Sequence, residues 1–231
     1  ITPVSIYLKI RDTYPNSILL ESSDYHANDN SFSYICFNPI ASIKVENETI
    51  VQHFPDKSSC ATKIDDNTNV PEKIHQFTKR FEVNSETDFK FINNGIFGYI
   101  AYDAVRYFED IDISKKVDSL NIPDIYYAVY QNIIAINHFK NEAYIFAHCY
   151  ENDSNIDDIF QLIKARNFAS YKFYSQGDIS SNLSDNEYKH QVELAKKHCD
   201  RGDVFQLVLS KNFSQEFRGD EFNVYRALRS I

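Results

Sequence analysis

Three short stretches set polar side chains where the surrounding pattern is apolar. Leu19-Leu20-Glu21-Ser22 ends an apolar run in a carboxylate and a hydroxyl. Tyr99, Tyr102, Asp103, Arg106 and Glu109 gather polar heads just after a run marked by Gly95 and Gly98. Gly202-Asp203-Val204-Phe205-Gln206 puts polar groups at the head of a further apolar run. In the period-two alternation of a strand, Gln206 shares a side with Val204 and Val208, and a buried amide there must hydrogen-bond to protein, water or substrate. Each stretch also has a plain structural reading: a strand-end serine bonds local backbone, and tyrosines at such spacing fill sheets and cores.

Other chemistries lack their parts. No Walker A sequence occurs, and five glycines in the chain leave nothing to build a G-x-G-x-x-G turn. No G-x-S-x-G elbow is present. His190, His198 and Cys199 fall on one predicted helix without the close carboxylate or cysteine pairs that complete a zinc site. Cys36, Cys60, Cys149 and Cys199 are scattered and read as reduced structural thiols.

The elements that position these residues follow from local rules. Thr2 and Pro3 open a helix over residues 2–14, closed by Pro15. Strand patterns cover residues 17–22 and 32–37, separated by a polar loop at 24–31. A hairpin follows over 40–45 and 49–54, turning at Glu46, Asn47 and Glu48, then a loop over 55–70 and a second helix from Pro71. Glycine within the apolar run 95–102 predicts a bulge or the close approach of another backbone. Residues 125–136 and 143–149 read as a second hairpin, turning at 138–142. An acidic patch, an amphipathic helix (Ile156, Ile159, Phe160, Ile163) and a polar linker over 175–184 come next. Ser184 and Glu187 form a capping box for a helix that Gly202 ends, and residues 204–210 alternate as a strand. These patterns divide the chain into an α+β unit over 1–149, a connecting helix and linker over 150–184, and the opening of a second unit over 185–231.

Bulk properties agree. With 43% hydrophobic residues, 18 Phe and 16 Tyr, the chain affords a sizeable core, which excludes disordered, collagenous and coiled-coil classes. A net charge of −9 with no basic run argues against nucleic acid as a partner. No apolar stretch reaches the roughly 20 residues of a membrane span, and the first residues lack signal-peptide order, so the setting is read as cytoplasmic with no membrane partner. Having no Met, and ending inside a helical pattern (Phe222, Tyr225, Leu228), the chain reads as a piece of something longer.

Taken together and in order, the marked stretches resemble the anthranilate synthase component I family of chorismate-utilising enzymes. The resemblance runs over nearly the whole chain. It is carried by S-I-L-L-E-S (17–22), F-S-Y-I-C-F-N-P (32–39), G-Y-I-A-Y-D-A-V-R-Y-F-E (98–109), I-P-D (122–124), N-H (137–138) and, most specifically, Y-K-H-Q-V with G-D-V-F-Q-L-V-L-S between residues 188 and 210.

The resemblance implies an α+β fold, mixed α and β with large antiparallel sheets, here truncated within its chorismate-binding domain. It assigns Leu20, Glu21 and Ser22, with Ser33 as a neighbour, to a feedback site for tryptophan, whose ammonium needs an acceptor and whose carboxylate needs donors. Gln206 is the implied catalytic-site residue. Sister enzymes that add water to chorismate carry a lysine there as general base, whereas a neutral amide can only position an already nucleophilic ammonia. The implied reaction is amination of chorismate and loss of pyruvate, with Mg²⁺ as cofactor and ammonia from a glutamine amidotransferase subunit. No metal ligand is expected within residues 1–231. The family's Asn-Pro-Ser-Pro-Tyr segment, which completes the tryptophan site, does not occur in this sequence. The expectation is therefore that residues 1–231 alone are inactive and bind tryptophan poorly. Two rivals stand beside this reading: aminodeoxychorismate synthase component I, which stops before pyruvate loss, and a non-catalytic amino-acid-sensing or partner-docking module.

Overall fold

A computed structural model describes residues 2–22, 31–84, 89–111, 113, 121–150, 154–166 and 169–231. The polar loop expected at 24–31 and the acidic patch after Tyr150 fall largely outside the described residues. Two compact units emerge, Ile1–Ala169 and Ser170–Ile231.

In the first unit, Thr2 caps helix α1 (Pro3–Ile10): its side chain accepts from the Ser5 amide, and Ser5 Oγ accepts from the Thr2 amide. After β1 (Ile18–Leu20) comes β2 (Phe32–Glu46), a single long strand where the sequence suggests two. The expected break at Asn38-Pro39 is instead a register shift between Pro39 and Ala41, with Asn38 at φ 58°. Proline has no N–H for the ladder, and an irregularity at that point lets the strand continue past it. Strand β3 (Thr49–His53) returns through the Asn47-Glu48 turn, where both residues have positive φ. The expected loop after it contains a further strand, β4 (Ser59–Lys63), a polar edge strand whose largely exposed side chains carry no alternating signal. Asn69 caps α2 (Val70–Thr78). Then come β5 (Ile96–Ile100), a 3-10 turn (Tyr102–Tyr107), β6 (Ile125–Asn137), β7 (Glu142–Ala147) and α3 (Ile156–Lys164).

The strands form one seven-stranded antiparallel sheet in the order β4-β3-β2-β6-β5, with β1 also on β2 and β7 also on β6. Beside residues 34–36, β2 therefore lies between β1 and β6. Helices α1 and α3 cover one part of the sheet, burying Ile6 and Ile10 against Ile35, Phe37, Ile134, Ile136, Ile159 and Ile163. Helix α2 covers another, with Val70 and Phe77 against Ile43, Val45, Ile50 and Ile125. Each such side chain contributes roughly 1.5–3 kcal/mol on burial. Polar ties add direction. Asn132 and Asn155 exchange amide hydrogen bonds at 2.8 and 3.2 Å, joining β6 to the start of α3, and Lys9 donates to the Ile163 carbonyl near its end. Gly98 shows the backbone approach its position predicts: a Cβ there would sit 1.9 Å from the Tyr126 carbonyl oxygen across the β5–β6 ladder.

The second unit begins with β8 (Phe173–Ser181), which replaces the expected linker, and pairs with β9 (Phe213–Gly219) as a two-stranded antiparallel sheet. Its serines hide it from composition, but strand pairing uses backbone groups that every non-proline residue carries. Between them runs α4 (Asp185–Asp200), opened by the Ser184/Glu187 capping box and ending before Gly202 at φ 77°. Helix α5 (Phe222–Leu228) follows β9. Residues 204–210, expected as a strand, are irregular: the alternation is present, but no ladder partner among the described residues receives it. No apolar side chain of this unit is fully buried among the described residues.

Candidate functional site

Leu20, Glu21, Ser22 and Ser33 fall where β1 ends and β2 begins. The ladder pairs Ile18 with Cys36, Leu19 with Ile35 and Leu20 with Tyr34. Leu20 is 39% exposed, and Glu21 and Ser22 follow it beyond the last paired residue of β1. From the other side, β6 places Ile136 opposite Ser33 and Asn137 opposite Phe32.

Ser33 is fully buried, and its Oγ stands 2.7 Å from Nε2 of His138, the first residue after β6. The His138 amide donates to the carbonyl of buried Ser31 at 3.0 Å, and the Asn137 side chain accepts from the Lys140 amide at 3.0 Å, which shapes the following turn. Sequence reasoning treats His138 as a turn residue; its signal is a polar side chain directly after a long apolar strand. On the other face, Tyr34 stacks with Phe32 at 6.1 Å, and burial raises its phenol above the ordinary value. Next to it, burial pushes the Cys36 thiol up to about 12.

The second marked stretch resolves into an ion-pair cluster. Arg106 Nη2 donates to Asp124 Oδ2 at 2.6 Å and to the Tyr107 hydroxyl at 3.1 Å, while Tyr107 donates to the same carboxylate oxygen at 2.9 Å. Arg106 Nη1 donates to the Asp103 carbonyl, and the Asp124 carbonyl accepts from Ala101. Burial, reinforced by the hydrogen bond to Asp124, pushes the Tyr107 phenol up to about 12. This cluster locks the 3-10 turn to the entry of β6; Tyr102 stands apart from it, exposed.

Gln206, in the second unit, is exposed on the irregular segment rather than buried in a strand. The helix histidine His198 is engaged by Asp203 at 2.8 Å and Arg201 at 3.0 Å. Among the described residues no group of three or more His, Cys, Asp or Glu converges to hold a metal ion. A cavity of about 460 Å³ opens in the first unit, lined by Phe54, Arg80, Ile96, Tyr130 and His148 among others; Leu20, Glu21, Ser22 and Ser33 are not among its lining residues. Burial lowers the His148 imidazole there, against the raising effect of its Nε2–H bond to the Asn93 carbonyl at 3.0 Å.

No helix among the described residues is long and apolar enough to cross a membrane. The chain is 30% identical to anthranilate synthase component 1 of Lactococcus lactis over 241 residues, covering 99% of this chain and 50% of that protein. It is 24% identical to aminodeoxychorismate synthase component 1 of Bacillus subtilis, covering 96% of this chain and 47% of that protein. In fold it is similar to the crystal structure of anthranilate synthase component I from Streptococcus pneumoniae, with a TM-score of 0.63 and 24% identity over 100% of this chain and 50% of that one. The chain thus spans about half the length of the curated relatives it matches. The sequence profile of chorismate binding enzymes matches residues 16–231, which takes in both the corner around Ser33 and the segment bearing Gln206: this chain belongs to the chorismate binding enzyme family.

Proposed function

We propose that this chain serves the large subunit of an anthranilate synthase. Chorismate and ammonia give anthranilate, pyruvate and water: nitrogen adds to the ring, the ring hydroxyl departs, and the enolpyruvyl group then leaves as pyruvate. Ammonia comes from glutamine through an amidotransferase partner, and tryptophan is the feedback inhibitor. What supports the reading is the place of the Leu20-Glu21-Ser22 stretch at the end of β1, where Leu20 pairs with Tyr34 next to Ser33 on β2, in a chain whose relatives at near-full coverage are mainly named anthranilate synthase. A carboxylate beside a hydroxyl supplies acceptors for an amino acid's ammonium, and the apolar residues around Leu20 suit an aromatic side chain.

Gln206 favours amination over hydration, because an amide takes no proton from water at neutral pH but orients ammonia by hydrogen bonding. Magnesium is the ion this chemistry calls for, to neutralise substrate carboxylates and assist departure of the ring hydroxyl. The described residues offer it no ligand cluster, so no step here runs through it. A cytoplasmic setting belongs to the same reading.

The relative from Bacillus subtilis favours a second reading, in which chorismate is aminated without loss of pyruvate. The deciding experiment uses the full-length parent with chorismate, Mg²⁺ and ammonium, following anthranilate fluorescence with and without tryptophan. Fluorescent product suppressed by tryptophan is the expected result. Chorismate consumption without anthranilate or pyruvate moves the protein to the second reading. Residues 1–231 alone are expected to leave chorismate untouched.

A further inference from the structure

We propose that the cavity of the first unit is a binding site for a small aromatic carboxylate whose ring carries an amino group, with the carboxylate held by Arg80 and the amine by His148. The site is separate from the residues assigned to tryptophan and stands on the cavity's own residues.

At about 460 Å³ the cavity falls in the range of small-molecule pockets, roughly 300–1,000 Å³. Phe54, Phe81, Ile96 and Val129 give it apolar wall that suits a flat ring. Arg80, just past the end of α2, also lines it and lays its guanidinium over the Phe54 ring, 4.0 Å from the centroid. Among the described residues this guanidinium makes no hydrogen bond and no ion pair. Stacking occupies only its flat face and leaves the in-plane N–H groups unspent, the fork that pairs with a carboxylate.

His148 supplies the opposite function. Its backbone amide donates to the Gln131 carbonyl at 2.7 Å, which ties it to β6, and its ring Nε2 lies 3.0 Å from the Asn93 carbonyl oxygen. A carbonyl oxygen only accepts, so Nε2 carries the proton. Burial lowers the imidazole below its ordinary value, so the ring is neutral at pH 7 and Nδ1 keeps a lone pair. No hydrogen bond reaches Nδ1 among the described residues, and an amine N–H on the ligand is the donor it lacks. Asp56 and Glu82, both exposed, line the same cavity and set the charge it admits. Asp56 Oδ1 already accepts from the Ser58 amide and hydroxyl at 2.9 and 2.6 Å, which fixes the carboxylate in place. One guanidinium beside two carboxylates accommodates one negative group on the ligand and repels a second.

The test follows hydrogen exchange of the full-length parent titrated with meta-aminobenzoate, benzoate (no amine), aniline (no carboxylate) and isophthalate (a second carboxylate in place of the amine). Meta-aminobenzoate is expected to slow exchange within residues 54–58, 80–83 and 94–96. Benzoate and aniline each need about tenfold more ligand for the same effect, the scale of one lost hydrogen bond, and isophthalate gives no protection there. Arg80→Ala is expected to weaken meta-aminobenzoate and benzoate about tenfold or more while leaving aniline within about twofold, and Arg80→Lys recovers only part of the loss because it restores charge without the fork. His148→Phe brings meta-aminobenzoate down to the level of benzoate and leaves benzoate within about threefold of the wild type. No protection at these segments, protection confined to other segments, or unchanged meta-aminobenzoate binding in Arg80→Ala overturns the proposal. Equal loss of benzoate and meta-aminobenzoate in His148→Phe, or no loss of either, overturns the assignment of the amine to His148.

Discussion

Arg106, Tyr107 and Asp124 form a closed arrangement in which one carboxylate oxygen accepts from both a guanidinium and a phenol. Both charged side chains are largely shielded, at 25% and 18% exposure, so removing one leaves the other short of its partner in a poorly hydrated place. Asp124→Ala is expected to destabilise the parent by about 1–3 kcal/mol in urea unfolding, whereas a surface aspartate such as Asp66 replaced by alanine stays within about 0.5 kcal/mol. The same cluster has a pH signature. Tyr107 is raised from 10.0 to about 12, so its protonated form is favoured by folding; that stability is intact below pH 10 and is lost as pH rises towards 12. The decline is expected to shrink in Tyr107→Phe. From sequence, Arg106 and Asp124 sit in separate motifs with a loop between them, and nothing in their spacing says that they meet. Ser33 and His138 pose the same difficulty at greater range: each is visible as a polar interruption, but their contact exists only once β2 and β6 are paired.

Local signals with a steric or capping cause transfer directly into elements. The Thr2 and Ser184 caps, the glycine stop at Gly202 and the Asn47-Glu48 turn all stand where the sequence puts them. Signals that depend on a partner transfer less well. Residues 204–210 alternate as a strand should but find no ladder, while the serine-rich stretch that reads as a linker becomes β8 because β9 pairs with it. Gly98 is the clearest test of the first kind. Alanine there would place a methyl group against the Tyr126 carbonyl, and backbone cannot yield as a flexible side chain would. Gly98→Ala is expected to cost about 1–3 kcal/mol and to lower the melting temperature of the parent, while Gly177→Ala, which meets nothing within 4 Å, is limited to its positive-φ strain. Comparable melting temperatures for the two variants would show that β5 shifts off β6 freely.

The two units differ in how their apolar side chains are used. In the first, a seven-stranded sheet is covered by α1, α2 and α3 and buries three hydrophobic clusters. In the second, Phe205, Val208, Phe213 and Leu228 are all exposed, and no apolar residue is fully buried among the described residues. Hydrogen exchange on residues 1–231 is therefore expected to find the amides of β2 and β6 the most protected and those of residues 204–212 exchanging within the shortest labelling time. Slow exchange over 204–212 would show a ladder that the structure does not contain. The family follows from the match over residues 16–231, and the chain spans about half the length of the relatives it matches, so the proposed chemistry is that of a protein of their full length. The most direct test of that chemistry is the stoichiometry of pyruvate released per chorismate consumed by the full-length parent with ammonium and Mg²⁺, measured with and without tryptophan. One pyruvate and one anthranilate per chorismate, suppressed by tryptophan in the wild type and released from that suppression in Glu21→Gln, is the predicted result. Chorismate consumed without pyruvate, or turnover indifferent to tryptophan, would contradict it.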